Sequence, residues 1–430
     1  MNYVIIGNSA AGIGAVEGIR LLDRDGKITV ISSEQEHVYS RPLISYYLSG
    51  QVELAKLKYR PDNFYEQNGV EALLGDRVLR VAPAEKGLEL QSGQRVTYDK
   101  LLIATGGQPF IPPLKGQSGE NVFSFTKLDD ARSLLAQIKD LKEKKIEGQA
   151  VILGAGLIGL KAAEALIKAK LKVTVVELSE RILSTILDEQ AAALLQSHLE
   201  EHGVDFILGD TITEFGGNSN HLKVNLKSGG ILDCNLAVIA VGVKPNIPNI
   251  TDNLIVSKQG LLINQQMETS QADIYAAGDV AEGYDMLKGL RRVIPLWPNA
   301  YNQGLVAGQN MAGGNASYDE GFARNAISFF GLPVITAGII DPPAEDLAAK
   351  AGYEVLTTGC LEKKTYKKVV LRENRMVGFI NLNAVDRAGI LTGLIKEKRD
   401  LGGLKDQLLS NDFGYLSFAE EWRREKLWKG

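Results

Sequence analysis

Short apolar runs alternate with stretches of helical periodicity in the first part of the chain. YVIIG at 3–7 predicts a buried strand, AGIGAVEGIRLL at 11–22 a helix, and KITVIS at 27–32 a second strand. The same order returns with QAVILG at 149–154, LKAAEALIKAK at 160–170 and KVTVVE at 172–177. This repeat of architecture predicts two α/β units.

Later stretches follow other patterns and indicate where the domains divide. Alternating residues at 221–229 and 233–242 predict β-structure, while PFIPPLKGQSG at 109–119 is typical of a crossing between domains. Beyond about residue 322 we predict a hairpin, KKVVLR to RMVGFINL, and an amphipathic helix, AGILTGLIKE. We therefore predict a discontinuous first domain of 1–111 and 247–322, a second domain of 112–246, and an α+β domain of 323–430.

Composition narrows the class of protein without identifying it. The 430 residues carry a formal net charge of −4, which gives no reason to expect nucleic acid or an anionic membrane as a partner. The N-terminal run lacks a basic leader and is interrupted by glycine, so we expect a cytoplasmic protein. Cys234 and Cys360 are far apart, and we expect neither a disulfide nor a metal site. His198 and His202 are expected on a solvated helix surface.

A glycine-rich turn joins the first predicted strand to its helix. Gly7, Gly12 and Gly14 lie where the chain turns sharply, and glycine lets the backbone approach a pyrophosphate. Ser9 takes the middle position of the usual GxGxxG. Glu34 lies 22 residues beyond Gly12, where a carboxylate can accept hydrogen bonds from ribose hydroxyls. The pattern predicts a nucleotide site; a plain packing turn is the alternative.

The second unit carries an unmodified GxGxxG. Gly154, Gly156 and Gly159 stand between a strand and a helix, which is the context that a dinucleotide site requires. Glu177 follows 18 residues after Gly159, at the end of the next strand. A carboxylate there binds the ribose diol and repels a 2′-phosphate, so NADH is predicted over NADPH.

Two further segments resemble motifs of a known family. DKLLIATGGQP at 99–109 and TSQADIYAAGDVAE at 269–282 are similar to the ATG and GD motifs of the two-dinucleotide-binding flavoproteins, the pyridine nucleotide-disulfide oxidoreductase superfamily. The resemblance extends over about residues 1–400 and is strongest to rubredoxin and ferredoxin reductases and NADH oxidases. It implies two Rossmann-like domains, one for FAD and one for NADH, with a C-terminal α+β domain.

The resemblance also implies which residues hold the cofactors. In this family the GD aspartate, here Asp279, binds the ribityl chain of FAD; a simple helix cap is the alternative. The segment at 294–313 resembles a helix directed at the flavin, where Trp297 packs on the ring or in the core. The implied cofactor-binding residues are Gly7, Ser9, Ala11, Gly12, Glu34, Arg41, Ala104, Thr105, Gly106, Gly154, Gly156, Leu157, Ile158, Gly159, Glu177, Gly242, Gly278, Asp279, Trp297 and Ala300.

The segment VYSRPLISYYLSG at 38–50 resembles the part of rubredoxin and ferredoxin reductases that lines the flavin ring. It contains no cysteine, so thiol chemistry at the flavin is not expected. Arg41 and Pro42 are catalytic candidates here, and an ordinary surface charge is the alternative for Arg41. Lys161 is the third candidate: it stands where most relatives have glutamate, and Tyr46 where they have lysine. Lys161 either stabilises the reduced flavin or lies on a solvated helix face.

The leading functional prediction is an enzyme that transfers hydride from NADH to FAD and then electrons to a rubredoxin- or ferredoxin-type protein. An NADH oxidase that makes hydrogen peroxide, and a FAD- and NAD-binding subunit of a larger complex, are the alternatives. An acidic iron protein would be steered by basic residues. The candidates are Lys363, Lys364, Lys367, Lys368 and Arg372, or Arg291 and Arg292. The third domain either forms a homodimer interface or covers the FAD domain.

Overall fold

The computed structural model describes residues 1–218, 221–250, 259–343 and 351–428. The chain folds into two compact units. Unit 1 contains Met1–Glu147 and Val238–Gly321, and unit 2 contains Gly148–Ala237 and Phe322–Gly430. The finer division into three domains stays a prediction.

The helices within these residues range in length from one turn to more than four turns. They are α1 (Ala10–Leu22), α2 (Ile44–Leu48), α3 (Phe64–Gln67), α4 (Leu128–Glu143), α5 (Leu157–Lys168), α6 (Glu189–Glu201), α7 (Trp297–Met311), α8 (Ala388–Glu397) and α9 (Glu420–Trp428). No helix in the described ranges is both long enough and apolar enough to span a bilayer.

The strands are mostly short. Those up to residue 147 are β1 (Asn2–Ile6), β2 (Lys27–Ser32), β3 (Val70–Leu74), β4 (Val78–Ala82), β5 (Gly87–Leu90), β6 (Arg95–Thr97), β7 (Lys100–Ile103), β8 (Gly107–Pro109) and β9 (Val122–Phe123). Those from 148 to 245 are β10 (Gln149–Leu153), β11 (Lys172–Glu177), β12 (Val204–Leu208), β13 (Ile212–Asn218), β14 (His221–Leu226), β15 (Ile231–Cys234), β16 (Leu236–Ile239) and β17 (Val243–Pro245). The later ones are β18 (Leu261–Leu262), β19 (Ile274–Ala276), β20 (Ala281–Asp285), β21 (Leu290–Arg292), β22 (Arg324–Phe329), β23 (Leu332–Gly338), β24 (Tyr353–Cys360), β25 (Thr365–Arg372) and β26 (Arg375–Leu382).

Unit 1 is built on a five-stranded parallel sheet in the order β19-β7-β1-β2-β3. Its strands are nearly continuous apolar runs, as is expected when both faces of a parallel sheet are covered. Val4, Ile5, Val30 and Leu102, for example, are completely buried. The carboxyl ends of these strands lie at one edge, which is where ligands bind in open α/β sheets.

Helices α1 and α7 of unit 1 pack against each other through glycine. A Cβ added at Gly304 would lie 2.0 Å from the Ala11 carbonyl oxygen, and one at Gly14 would lie 2.3 Å from that of Tyr301. Gly18 and Gly308 meet the facing backbone in the same way. The two helices therefore approach to a distance that only glycine permits, which brings both of their N-termini to the sheet.

Unit 2 combines the second α/β unit with the C-terminal sheet. Strands β10, β11 and β12 are parallel, with helices α5 and α6 in the connections. The C-terminal sheet is antiparallel, in the order β22-β23-β26-β25-β24, and α8 packs on β26. The predicted α/β class with an additional α+β part is confirmed. The predicted hairpin is the β25–β26 pair, with Glu373 and Asn374 in its turn at positive φ.

Candidate functional site

The first glycine-rich loop has the backbone geometry that the sequence predicts. Gly7 has φ +125°, and a Cβ there would lie 2.0 Å from the Ala104 carbonyl oxygen, so only glycine fits. Gly12 is packed as tightly against the Gly7 carbonyl oxygen. Ser9 is the N-cap of α1 and makes no side-chain capping bond. The N-terminal amides of a 13-residue helix therefore follow this loop directly, as anion binding requires.

Three predicted FAD residues from distant parts of the chain meet beside this helix end. A Cβ at Gly278 would lie 3.3 Å from the Cβ of Ala11 and 3.4 Å from that of Ala300. Ala11 belongs to the first turn of α1 and Ala300 to that of α7. The Gly278 amide donates to Gln303 at 2.8 Å. Two helix N-termini and the GD segment thus converge on one place in unit 1.

The ATG segment is held by the chain that returns into unit 1. The Thr105 hydroxyl donates to the Asn246 carbonyl at 2.6 Å, and the Asn246 amide donates to the Gly106 carbonyl at 2.8 Å. The Gly242 carbonyl accepts from the Phe110 amide at 2.9 Å. Gly106 and Gly242 both have positive φ, and a Cβ at either would have no atom within 4 Å. These two glycines border open space.

Glu34 and Arg41 form an ion pair within unit 1. The Glu34 carboxylate also accepts from the Tyr39 hydroxyl at 2.6 Å, and the Arg41 guanidinium donates to the Thr126 carbonyl at 3.1 Å. Burial lowers the pKa of Arg41, but the charge and hydrogen bond of Glu34, together with Tyr39 and Asp279, outweigh burial, and the pKa lies above its ordinary value. Pro42 is exposed in the short 3-10 helix that Arg41 begins.

Asp279 carries the most perturbed carboxyl in this region. Burial raises its pKa to about 6, and the positive charge of Arg41 opposes that shift. Arg41 thus acts electrostatically on both Glu34 and Asp279. A carboxyl with a raised pKa is a good partner for the hydroxyls of a ribityl chain, because it can accept and, when protonated, donate.

Trp297 is the first residue of α7 and is half-buried. Its ring is edge-on to that of Tyr59, with centroids 5.0 Å apart. The side chain is therefore oriented by an aromatic neighbour at the helix end where Ala300 also lies. Whether it stacks on the flavin stays a prediction.

The loop of the second α/β unit has an open cradle. Gly154 has φ +109°, and Gly156 caps the N-terminus of α5 with no atom within 4 Å of an added Cβ. Leu157 and Ile158 are half-buried in the first turn, while Gly159 is buried. A pyrophosphate can approach the backbone at Gly156, because no side chain or neighbouring residue fills the space.

Backbone amides fix Glu177 at this loop. Its carboxylate accepts from the Ala155 amide at 2.7 Å and from the Ser179 amide at 2.8 Å. Ala155 is the middle residue of the GAG turn, so the carboxylate lies directly beside the predicted pyrophosphate cradle. That Glu177 binds an unphosphorylated adenosine ribose stays a prediction.

Lys161 is largely buried within unit 2. Its side chain is only 12% exposed, and its ammonium pairs with Glu164 and donates to the Ser328 carbonyl at 3.2 Å. It is therefore not solvated helix surface. Tyr46 is half-buried in α2, and its carbonyl accepts from the Gln51 amide at 2.9 Å. A role of either residue at the flavin stays a prediction.

Sequence reasoning missed some contacts and misplaced others. Tyr39, which orients Glu34, was not singled out, although it lies five residues away in the quoted segment. His198 is half-buried, and its Nε2 lies 3.1 Å from the Phe329 carbonyl oxygen, so the expectation of a solvated surface was wrong for this histidine.

The basic candidates for partner docking are largely engaged within their own unit. Lys364 pairs with Glu201, Lys368 with Asp188 at 3.0 Å, and Lys367 donates to Asn411 at 2.7 Å. Arg292 faces Asp285 at 3.3 Å. These contacts reduce the positive charge that the sequence alone suggested for docking.

The residues present fit two dinucleotides. In unit 1, the turn at Gly7, the converging N-termini of α1 and α7, and Asp279 would hold FAD. In unit 2, the cradle at Gly156 and the carboxylate of Glu177 would hold NADH. Residues 1–304 match the family described as Pyridine nucleotide-disulphide oxidoreductase. The chain belongs to this family.

Curated relatives match the chain over most of their own length. The chain is 31% identical over 429 residues to the NADH-dependent phenylglyoxylate dehydrogenase subunit epsilon of Aromatoleum evansii, a match that covers 98% of both chains. It is 31% identical to the NADH-rubredoxin oxidoreductase of Clostridium acetobutylicum, over 79% of this chain and 82% of that one. The protein is thus a nucleotide-dependent flavoprotein oxidoreductase that uses FAD and NADH.

Other similar proteins are longer. The chain is 30% identical to the Nitrite reductase [NAD(P)H] of Bacillus subtilis over 93% of its own length, and spans 47% of that relative. Among solved structures, a NAD-dependent persulfide reductase from A. fulgidus superimposes with a TM-score of 0.84 at 25% identity. That match covers 94% of this chain and 78% of the other, and it confirms the predicted fold class.

Proposed function

We propose that this protein is an NADH-dependent flavoprotein that passes electrons to a small iron protein of the rubredoxin or ferredoxin type. The observation that carries the proposal is the pair of glycine-rich turns from strand to helix, one in each unit, each with a carboxylate at or just beyond the end of the second strand. FAD, when bound, supplies the conversion between two-electron and one-electron chemistry. Rubredoxin is the partner named for one similar enzyme.

The chain's own residues bind and orient in this proposal. The amides that follow Gly7 and Gly156 hold the two pyrophosphates, while Glu177 selects NADH. Arg41 balances the charges of Glu34 and Asp279. The segment 38–50 contains no cysteine, which supports direct electron transfer rather than chemistry through a protein thiol.

A second candidate function has one specific observation in its favour. The phenylglyoxylate dehydrogenase relative is a subunit, and the match covers 98% of both chains. The protein would then serve as the FAD- and NAD-binding subunit of a larger oxidoreductase. Its acceptor would be a partner subunit, and free carriers would be reduced slowly.

We propose a cytoplasmic location, which both free cysteines support because thiols persist in a reducing compartment.

We also propose that the protein forms a homodimer through the C-terminal α+β part. Size-exclusion chromatography with light scattering tests it: a mass of one chain at micromolar concentration would contradict the dimer.

Anaerobic stopped-flow reduction by NADH is the test of function. The yellow protein is mixed with NADH, and the reduced protein is then mixed in parallel with rubredoxin, ferredoxin, air or ferricyanide. Fast bleaching followed by fast transfer to an iron protein is the expected result. Fast reaction with air alone would favour the oxidase. Fast bleaching with slow transfer to every free carrier would favour the subunit. Absence of bleaching would overturn the central proposal.

A further inference from the structure

A two-residue turn joins β22 to β23 at the tip of the C-terminal sheet. Phe330 has φ +46° and Gly331 has φ +86°, so both turn residues are in the left-handed region. This is the geometry of a type I′ hairpin, for which asparagine or glycine is preferred at the first position. Phenylalanine is unfavourable there, so contacts beyond the hairpin must hold it.

Glu164 of α5 supplies one of these contacts. Its side chain is 6% exposed, and its Oε1 accepts from the Phe330 amide at 3.1 Å. Lys168 donates to the same oxygen at 2.7 Å, and Lys161 pairs with the other. Lys161 also donates to the Ser328 carbonyl. The Glu164 carboxylate and the Lys161 ammonium thus hold the backbone on either side of Phe329, and Lys168 compensates the charge of the carboxylate.

The three charged residues form one row along the helix. Positions 161, 164 and 168 are spaced by three and four residues and therefore share a face of α5. Burial raises the pKa of Glu164, but the hydrogen bonds from Lys161 and Lys168 outweigh burial and the pKa lies below its ordinary value. The carboxylate stays ionised at neutral pH. Removal of either neighbouring charge leaves it poorly compensated.

Helix α6 holds the other side of the same tip. The Nε2 of His198 lies 3.1 Å from the Phe329 carbonyl oxygen. The His202 ring stacks on that of Phe330, with centroids 4.5 Å apart and planes 20° apart. We call Ser328–Gly331 with these partners on α5 and α6 the hairpin clasp.

The clasp grips the helix that opens with the NADH cradle. Helix α5 begins after Gly156, and Lys161 lies in its second turn. The direction of its N-terminal amides therefore depends on how the whole helix is held, and a pyrophosphate is sensitive to that direction. The C-terminal sheet, through Phe330, sets the position of a helix that it does not contain.

We propose that Glu164 and Lys161 are positioning residues for NADH: they fix α5 against the hairpin clasp and so preorganise the cradle at Gly156. This role rests on the proposed function only in taking NADH as the ligand of unit 2. In this positioning role, the Lys161 ammonium acts through Glu164 and Ser328 and not on the reacting flavin.

The test compares nucleotide binding with the rate of flavin reduction. Glu164→Gln keeps an acceptor for the Phe330 amide but loses the charge, and Lys161→Met removes the ammonium. Both should weaken binding of NADH and NAD⁺ by about three- to thirtyfold, while the limiting reduction rate at saturating NADH changes less than about twofold. Lys161→Arg should restore most of the affinity. Glu200→Gln, the same change at an exposed residue of α6, is the control.

Each outcome decides the matter. If Glu164→Gln and Lys161→Met fold, retain their flavin and bind NADH and NAD⁺ with wild-type affinity, the proposal is overturned. A lowered limiting rate of flavin reduction with unchanged affinity also overturns it, and would assign Lys161 to the flavin. If Glu164→Gln does not fold, hydrogen exchange of the Phe330 amide in the wild type replaces it. Slower exchange on addition of NAD⁺ is expected, and unchanged exchange overturns the proposal. If the protein binds NAD⁺ but NADH does not bleach the flavin, the proposed function is wrong and the positioning role is not contradicted.

Discussion

Each α/β unit has a glutamate close to the end of its second strand, but the two glutamates are held by different partners: Glu177 is the last residue of β11, and Glu34 lies two residues beyond β2. Glu34 is paired with the Arg41 guanidinium and the Tyr39 hydroxyl. Glu177 is held beside the cradle by two backbone amides. The sequence pattern predicts both positions, because each follows from the length of a strand–helix–strand unit. It does not predict the partners, because Tyr39 and Arg41 reach Glu34 only after the chain has turned.

The charge of Glu177 should decide which nucleotide is used. Glu177→Ala removes a charged hydrogen-bond acceptor, an interaction of about 1.5–3 kcal/mol, so kcat/KM for NADH should fall by about tenfold or more. Discrimination against NADPH should fall with it, since the repulsion of the 2′-phosphate is lost. Steady-state kinetics with both nucleotides measure this. Glu180→Gln, three residues further on and exposed, is the control, and an unchanged NADH-to-NADPH ratio would contradict the prediction.

Asp279 should make the flavin-free protein sensitive to pH. Its folded pKa of about 6 lies above the ordinary 3.8, so the folded state binds the proton more tightly than the unfolded state. The contribution to stability is full below pH 4 and is lost as the pH rises to about 6, at a cost of at most about 3 kcal/mol. Asp279→Asn should therefore stabilise the flavin-stripped protein at pH 7 and bind FAD less tightly. Thermal unfolding at pH 5 and pH 7.5 checks this, and an equal effect at both values would contradict it.

At the scale of elements, the sequence predicts what is local and periodic. The strands β2 and β11 and the helix α8 agree with the sequence prediction residue by residue. The close packing of α1 against α7 was not predicted. Its trace in the sequence is one pair of glycines four residues apart in each helix, Gly14 and Gly18 in α1 and Gly304 and Gly308 in α7. A pair of glycines does not by itself indicate which helix packs against it, because the facing helix is almost 300 residues away in the sequence. The hairpin clasp was missed for the same reason.

The glycine contact gives a matched pair of variants. Gly304→Ala puts a methyl group 2.0 Å from the Ala11 carbonyl oxygen and must separate α1 from α7. We expect a loss of about 1–3 kcal/mol or more, with weaker FAD binding because both helix N-termini move. Gly393→Ala in α8 meets no atom within 4 Å and should gain up to about 1 kcal/mol from helix propensity. Denaturant unfolding and flavin content separate the two, and equal effects would contradict the packing argument.

The hairpin clasp should weaken in mild acid. Burial and then the charge of His202 lower the pKa of His198; the charged groups facing it are His202 and Glu201 on its own helix and Lys364. Because the folded pKa is the lower one, the contribution of His198 to stability is fully present above about pH 6.5 and is lost as the pH falls below that value and through the folded pKa.

A histidine variant isolates this effect. His198→Gln retains a donor for the Phe329 carbonyl and cannot titrate, so the difference in melting temperature between pH 7.5 and pH 5.5 should shrink. His221→Gln, an exposed histidine paired with Asp233 in β15, is the control. An unchanged pH dependence in His198→Gln would contradict a role for this side chain.

At the scale of the whole molecule, the family name refers to disulphides, but the Cys234 thiol of this chain is unsuited to such chemistry. Burial raises the pKa of Cys234 to about 12, and its side chain is 2% exposed. Cys360 ends the edge strand β24 of the C-terminal sheet and is partly exposed. A thiolate is the reactive form of cysteine, so a buried thiol of high pKa is inert.

Alkylation tests this conclusion on the intact protein. Iodoacetamide at pH 8 should modify Cys360 and leave Cys234 free, and NADH-dependent turnover should change by less than about twofold. Cys360→Ser should behave like the wild type before treatment and lose no activity afterwards. Inactivation of the wild type that Cys360→Ser escapes would contradict the prediction and assign a function to this thiol. Preserved activity would mean that turnover does not depend on the Cys360 thiol.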